Sequence, residues 1–309
     1  MNFILTIVFV SIGMTFLLIW MELKMSKNII FIPNIDCGDG RSTPYHYSVK
    51  SYQNWAKQYD DVEVVEWTEP IMDVERFHII YQREWVFDIL DHNGIDYDQV
   101  AVVDSDTIIN PKCPNFFEKT NYEYTVVLQN ADYEWVGRSI DGWHHHLLPN
   151  EIKPKVWEYH NAGFVIVNKK HKEFLDIVKD FYMKNIEKIN DIKHYKSYVG
   201  GEIPSVGQTI MNFLVIKHNI KRTFLPERYN FGGLYMKNLL WNPWLNVHAP
   251  SWWSDELIFL DMGWIYHFAG IPKLESVELE KEHVRRFGQK ARDTGYWMKR
   301  TYEELYENE

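Results

Sequence analysis

Gln99-Val100-Ala101-Val102-Val103-Asp104-Ser105-Asp106-Thr107-Ile108-Ile109-Asn110-Pro111 opens with four apolar residues in a row after Gln99, three of them valine. Such a run reads as a strand buried on both faces, and strands of this kind in α/β proteins carry their ligands just beyond the carboxyl end. Asp104 and Asp106 fall there. On an extended chain, side chains at i and i+2 lie on one side. Both carboxylates can therefore face one hard cation, and a Mn²⁺ or Mg²⁺ held this way can grip a diphosphate. The competing reading of Asp-Ser-Asp is a polar turn closing a strand. Its place at the end of a buried strand favours the metal reading.

Either side of this stretch, the elements alternate. Residues 28–32 read as a first strand closed by Pro33, residues 47–58 as a helix of mixed character, and residues 62–67 as a second strand. This is the β-α-β start of a parallel sheet. Residues 75–90 read as a helix stopped by Asn93-Gly94, with Trp85, Val86, Ile89 and Leu90 on one face and Arg83 facing the strand ends or solvent. Between the first strand and its helix, Cys37-Gly38-Asp39-Gly40-Arg41-Ser42-Thr43 reads as a turn in preference to a loop that cradles phosphates.

Bulk composition agrees with a single catalytic-sized domain. The chain has 309 residues, 46% of them apolar and 16% aromatic, enough for a substantial core. A net charge of −10 provides no basic footprint, so no nucleic-acid partner is expected. Cys37 and Cys113 are too few for a disulfide framework. Thirteen tryptophans and nineteen tyrosines read first as core material, although aromatic faces also suit sugar rings.

Residues 3–21 differ from the rest. They carry no charge over nineteen positions, about 28 Å as a helix at 1.5 Å per residue, which just spans a hydrocarbon core. With no basic residue before it and Leu18-Ile19-Trp20-Met21 at its end, the run reads as a membrane anchor rather than a cleaved signal peptide. Residues 1–27 are thus an anchor and its flank. Lys24 and Lys27 place the flank, and the domain behind it, in the cytosol, and the sequence contains no Asn-x-Ser/Thr acceptor. The alternative is a type II arrangement facing the Golgi or ER lumen.

Further along, residues 159–168 read as an apolar strand. Ala162 and Gly163 there let a ligand approach the backbone, and Asn161 offers a hydroxyl both a donor and an acceptor. His144-His145-His146 lie in a loop-like segment before it, and adjacent histidines point in different directions, which disfavours a metal site. A helix over residues 172–189 follows. Residues 263–273 read as a last strand with His267 at its exit, a nitrogen ligand for a D-x-D site, and Lys273 as a point charge for phosphate.

Asp104-Ser105-Asp106, Asn161-Ala162-Gly163, Gln208 with Asn212, Leu225-Pro226-Glu227-Arg228-Tyr229-Asn230 and His267-Phe268-Ala269-Gly270-Ile271-Pro272-Lys273 follow in an order that resembles glycosyltransferase family 8 and its GT-A relatives. The resemblance covers about residues 28–275 and leaves residues 276–309 as a charged helical segment. It implies a GT-A, Rossmann-like α/β fold with a mixed, mostly parallel sheet flanked by helices. It also implies a retaining transfer from a nucleotide-sugar, commonly a UDP-sugar, to a glycan or glycoconjugate acceptor. Carried over, Asp104, Asp106 and His267 match the metal ligands, Lys273 the diphosphate contact, and Asn161 and Gln208 the donor-sugar contacts. Arg83 matches a basic residue on the helix before the metal strand; Ser105 and Gly163 join the donor-binding set, and Gln208 and Asp106 are the catalytic candidates. One position departs from the family. Gly207 stands where an acidic residue usually precedes the glutamine, which disfavours a covalent intermediate and favours front-face substitution, with Glu202 as the one nearby carboxylate in sequence.

Two rivals leave parts of this pattern unused. A sugar-nucleotide pyrophosphorylase would account for Gly38-Asp39-Gly40-Arg41 but not for the later motifs. A membrane-anchored lectin would use Trp241, Trp244, Trp252 and Trp253 but has no need of the aspartates and His267.

Overall fold

The computed structural model describes residues 27–38, 42–129, 133–197, 201–204, 207–232, 257–269 and 294–307. The apolar run at 3–21, Lys24, the glycine loop at 39–41, Lys273 and the tryptophans between 241 and 253 lie outside the described residues. Among the described residues, no helix is long and apolar enough to cross a membrane.

The strands are β1 (Asn28–Pro33), β2 (Val62–Trp67), β3 (Gln99–Val103), β4 (Thr107–Ile109), β5 (Tyr124–Leu128), β6 (His160–Asn168), β7 (Arg222–Leu225) and β8 (Ile265–His267). Six form one sheet in the order β2-β1-β3-β6-β5-β7, and β4 pairs with β8 in a small second sheet. In the large sheet every strand runs one way except β6, which is antiparallel to both β3 and β5. This mixed, mostly parallel sheet flanked by helices fits the GT-A architecture.

Burial explains why the central strands read as unbroken apolar runs. Along β1, Ile29 and Phe31 enter the core on one face of the sheet, while Ile30 and Ile32 enter the core on the other. Val100 and Val102 of β3 divide from Ala101 and Val103 in the same way. Strand β2, at the edge, is buried only at its ends, Val62 and Trp67, with Glu63 and Glu66 exposed between them.

Helix α1 (Tyr45–Ala56) covers one face through Val49, Tyr52, Trp55 and Ala56. The run from 75 to 90 is not one helix. It folds as α2 (Ile79–Gln82), a 3₁₀ turn at Arg83–Trp85 and α3 (Val86–His92). The buried Gln82 side chain accounts for the late start: it bonds the backbone of Ile71, Met72 and Phe77, competing with helix formation there. Gly94 ends α3 at φ 65°, where the left-handed region favours glycine.

The segment read as loop-like before β6 is instead helical, as α4 (Tyr133–His146), with the three histidines in its last turn. Val136, Ile140 and Trp143 supply the apolar face at spacings of four and three, and Gly142 lets Ile203 pack where a Cβ would meet it at 2.5 Å. Helix α5 (Lys172–Asp191) follows a capping box in which Asn168 and His171 satisfy each other's backbone, and α6 (Gly207–Lys217) is buried along most of its length. Helix α7 (Thr294–Tyr306) joins Trp297, Met298 and Tyr302 to Ile108 of β4 and Tyr266 of β8 in a third core.

Candidate active site

The reversed strand β6 brings its own beginning to the edge where β3, β5 and β7 end. Asp104 leaves β3 there and donates its backbone N–H to Gly163 O at 2.9 Å, extending the β3–β6 ladder by one bond. At Ser105 and Asp106 the chain turns rather than staying extended, and β4 then joins the other sheet. Thr107 donates its hydroxyl to Asp104 O at 2.6 Å, so the buried Tyr52 hydroxyl, 3.1 Å from Thr107 Oγ1, is left to donate to it.

Register places the third ligand. Thr107 pairs with His267 across β4 and β8, and Phe268 N–H bonds Asp106 O at 2.9 Å. His267 Nε2 thereby lies 3.2 Å from Asp106 Oδ1 and 3.6 Å from Asp104 Oδ2. One ligand atom from each of Asp104, Asp106 and His267 falls within 4.8 Å of the others. Burial opposes a charge on His267, but the bond to Asp106 and the nearby Asp104 outweigh it and hold the imidazole above its usual pKa. A site that favours a proton on this ring also favours a cation.

Arg83 divides the Asp104 carboxylate. Its Nη1 takes Oδ1 at 2.7 Å, while Oδ2 faces His267. The guanidinium is buried and pairs on its other side with buried Glu84 at 3.5 Å. Burial pushes the Glu84 carboxyl up against the pull of Arg83.

Gly163 leaves the space beside the triad open. A Cβ there would stand 2.5 Å from His267 Cε1, 2.7 Å from Asp104 Oδ2 and 2.9 Å from Asn161 Oδ1. Two carboxylates and an imidazole around a cradle that a single methyl would fill suit a divalent cation such as Mn²⁺ or Mg²⁺.

Asn161 and Gln208 lie beside the triad in a web of amides. Asn161 Oδ1 accepts from Gly163 N–H at 2.6 Å and Asn230 Nδ2 at 2.8 Å, so both its lone pairs are engaged. Its Nδ2 donates to Gln129 Oε1 at 2.5 Å. Asn161 therefore offers a ligand one N–H, and not the donor and acceptor that its side chain carries when free. Gln208 Oε1 accepts from Ala162 N–H at 3.0 Å and its Nε2 donates to Gln129 at 3.2 Å. Gln129, absent from the sequence-level set, leaves no motif because it follows β5 alone. Asn230 was visible as part of a motif, but without a partner its role was not.

A cleft of about 170 Å³ opens over Arg83, Asp104, Ser105 and Asp106, walled by Ile35, Tyr45 and His78. Cys37 and Ser42, at either end of the glycine loop, line it too. Glu202 is exposed; its carbonyl is bonded by Arg138 and its backbone bridges Lys196.

No protein-family model and no curated protein matches the sequence. Among solved structures, similar chains include a glycosyltransferase involved in the glycosylation of the major capsid of PBCV-1, at 12% identity and a TM-score of 0.48 over 84% of this chain and 99% of that one. The glycosyltransferase GlyE of Streptococcus pneumoniae TIGR4 aligns at 11% identity and 0.44 over 90% of this chain and 64% of its own. Mouse xyloside xylosyltransferase 1 aligns at 11% and 0.39 over 78% and 97%.

Proposed function

We propose that the chain is a metal-dependent glycosyltransferase that moves a sugar from a nucleotide-sugar, a UDP-sugar in the reading favoured here, to a carbohydrate or glycoconjugate acceptor. One observation carries the reading: Asp104, Asp106 and His267 converge within 4.8 Å beside a glycine that a methyl would block, and the two aspartates line a cleft. A Mn²⁺ or Mg²⁺ ion held by these three would neutralise charge on the departing diphosphate. Arg83 fixes Asp104 through Oδ1 and leaves Oδ2 to the ion. Asn161 and Gln208 each turn one free N–H towards the sugar, while Ile35 and Tyr45 wall the nucleotide side of the cleft. Lys273 is assigned to the diphosphate on the family resemblance.

Retention is assigned on the family resemblance, and a route without a covalent glycosyl-enzyme is supported by the described residues around Asn161 and Gln208. Asn161 and Gln208 are bonded to amides and backbone N–H groups, Gly207 brings no carboxylate, and Glu202 is exposed. The acceptor oxygen bonds the anomeric carbon on the face from which the phosphate oxygen leaves, and the acceptor's proton passes to that phosphate. On the Lys24 and Lys27 flank we also place the domain on the cytosolic side of a membrane; protection of its C-terminus from protease added to sealed vesicles with the cytosolic face outward would show the opposite orientation.

A screen of nucleotide-sugars with Mn²⁺ tests the main reading. Release of nucleoside diphosphate from one of them, abolished by chelation and restored by Mn²⁺, is the expected result. Release unaffected by a chelator would remove the metal from the mechanism, and conversion of the nucleotide-sugar to nucleoside triphosphate only when pyrophosphate is added would point to a pyrophosphorylase.

A further inference from the structure

We infer that Gln129 is a positioning residue for the sugar subsite, setting which ends of Asn161 and Gln208 face the substrate. The inference rests on the transferase reading above. An amide can present oxygen or nitrogen at either end, and only its partners decide which. Here the decision starts from two groups that can only donate, the backbone N–H groups of Ala162 and Gly163. Gly163 N–H bonds Asn161 Oδ1 at 2.6 Å and Ala162 N–H bonds Gln208 Oε1 at 3.0 Å, which fixes the oxygen of each side chain on the β6 backbone. Asn230 Nδ2 adds a second donor to Asn161 Oδ1 at 2.8 Å. Both amide nitrogens must then find acceptors on the opposite side.

Gln129 Oε1 supplies that acceptor to both, at 2.5 Å from Asn161 Nδ2 and 3.2 Å from Gln208 Nε2. Its own backbone N–H is anchored on Tyr159 O at 2.9 Å, one residue before β6 begins. One oxygen therefore ties the strand-borne amide to the helix-borne one. The two remaining N–H groups, one on Asn161 and one on Gln208, are held at a set separation beside Asp104 and His267. A sugar is then read through lone pairs on its hydroxyl oxygens. Without the shared acceptor, each amide loses the partner that holds its nitrogen in place; Asn161 keeps its bonds to Gly163 and Asn230, and Gln208 keeps only its bond from Ala162 N–H.

The test compares Gln129→Leu, which removes the acceptor, with Gln129→Glu, which retains it but loses the amide nitrogen. The substrate is the UDP-sugar that the wild type turns over fastest, and UDP with Mn²⁺ is the sugar-free probe. Gln129→Leu is expected to raise KM for the UDP-sugar about 10-fold or more, in the range of lost outer-shell contacts, and to leave UDP affinity unchanged. Gln129→Glu is expected to recover most of that loss. In ¹⁵N spectra, the side-chain amide signals of Asn161 and Gln208 should shift in Gln129→Leu, a readout independent of turnover and of folding as judged by circular dichroism. Unchanged KM and unchanged amide signals in Gln129→Leu would overturn the proposal while the wild type's activity stands. An equal loss in both variants would overturn it too, because it would assign the amide nitrogen a direct contact instead. A wild type that neither binds UDP with Mn²⁺ nor turns over any UDP-sugar would instead defeat the transferase reading, and this inference with it.

Discussion

A methyl group on residue 163 would have to share space with His267 Cε1 and Asp104 Oδ2. Gly163→Ala should therefore push the ligands apart and weaken Mn²⁺ binding, measured by titration calorimetry, while far-UV circular dichroism stays unchanged. Wild-type affinity in that variant would show that the triad does not close around an ion at this point. Gln208 makes a second prediction at this scale. On the proposed reading its amide N–H holds the sugar through a hydroxyl oxygen and cannot attack it, so Gln208→Ala should slow transfer about 10- to 1,000-fold without abolishing it. Glu202→Ala should keep most of its activity, since Glu202 is exposed and bonded to Arg138 through its carbonyl. A sugar trapped on Glu202 by mass spectrometry would contradict both.

Helix α7 is where an element far from the cleft bears on it. Trp297 is 2% exposed and packs in one core with Tyr266, the neighbour of His267. Tyr306 ties the same helix to Ser51 O at 3.1 Å and Ile109 O at 2.7 Å. Trp297→Ala should cost about 3–5 kcal/mol, as large-to-small core changes do. A urea melt that matches wild type would show that the small sheet does not depend on α7. Some of these elements were legible in the sequence and some were not, for physical reasons. Strand β3 declares itself because both faces are buried, leaving no polar residue to interrupt it, and the aspartates stand out at its end. Helix α4 hides because Gly137, Gly142 and a run of histidines blur its apolar period, although Val136, Ile140 and Trp143 preserve it. The late start of α2 depends on Gln82 bonding a loop ten and eleven residues away, a contact that no local pattern encodes. The amide web is hidden for the same reason, since Gln129, Asn161, Gln208 and Asn230 meet only once four elements have packed.

The whole molecule holds two histidines in forms the unfolded chain would not. Burial, with Arg222 and Arg83 adding to it, lowers His160 to about 3, and burial lowers His171 to about 4, both from 6.5. A group with a depressed folded pKa takes up its proton preferentially when unfolded. Stability is therefore fully present above pH 6.5 and is lost as pH falls towards 4. Each histidine contributes up to about 1.4 kcal/mol per pH unit in that window. Urea midpoints between pH 7 and 5 should fall, and His160→Leu should flatten the fall; an unchanged slope would show that His160 is not buried neutral. The pairing of Thr107 with His267 has a consequence of another kind. During synthesis the strand bearing Asp104 and Asp106 leaves the ribosome long before its partner, and long-range pairing is the slow part of folding. Until residue 267 has been made, the two aspartates form an open turn beside Arg83. A nascent chain stopped between residues 226 and 266 holds all six strands of the large sheet but not His267, so the proposed ion site can be completed only after that sheet has been made.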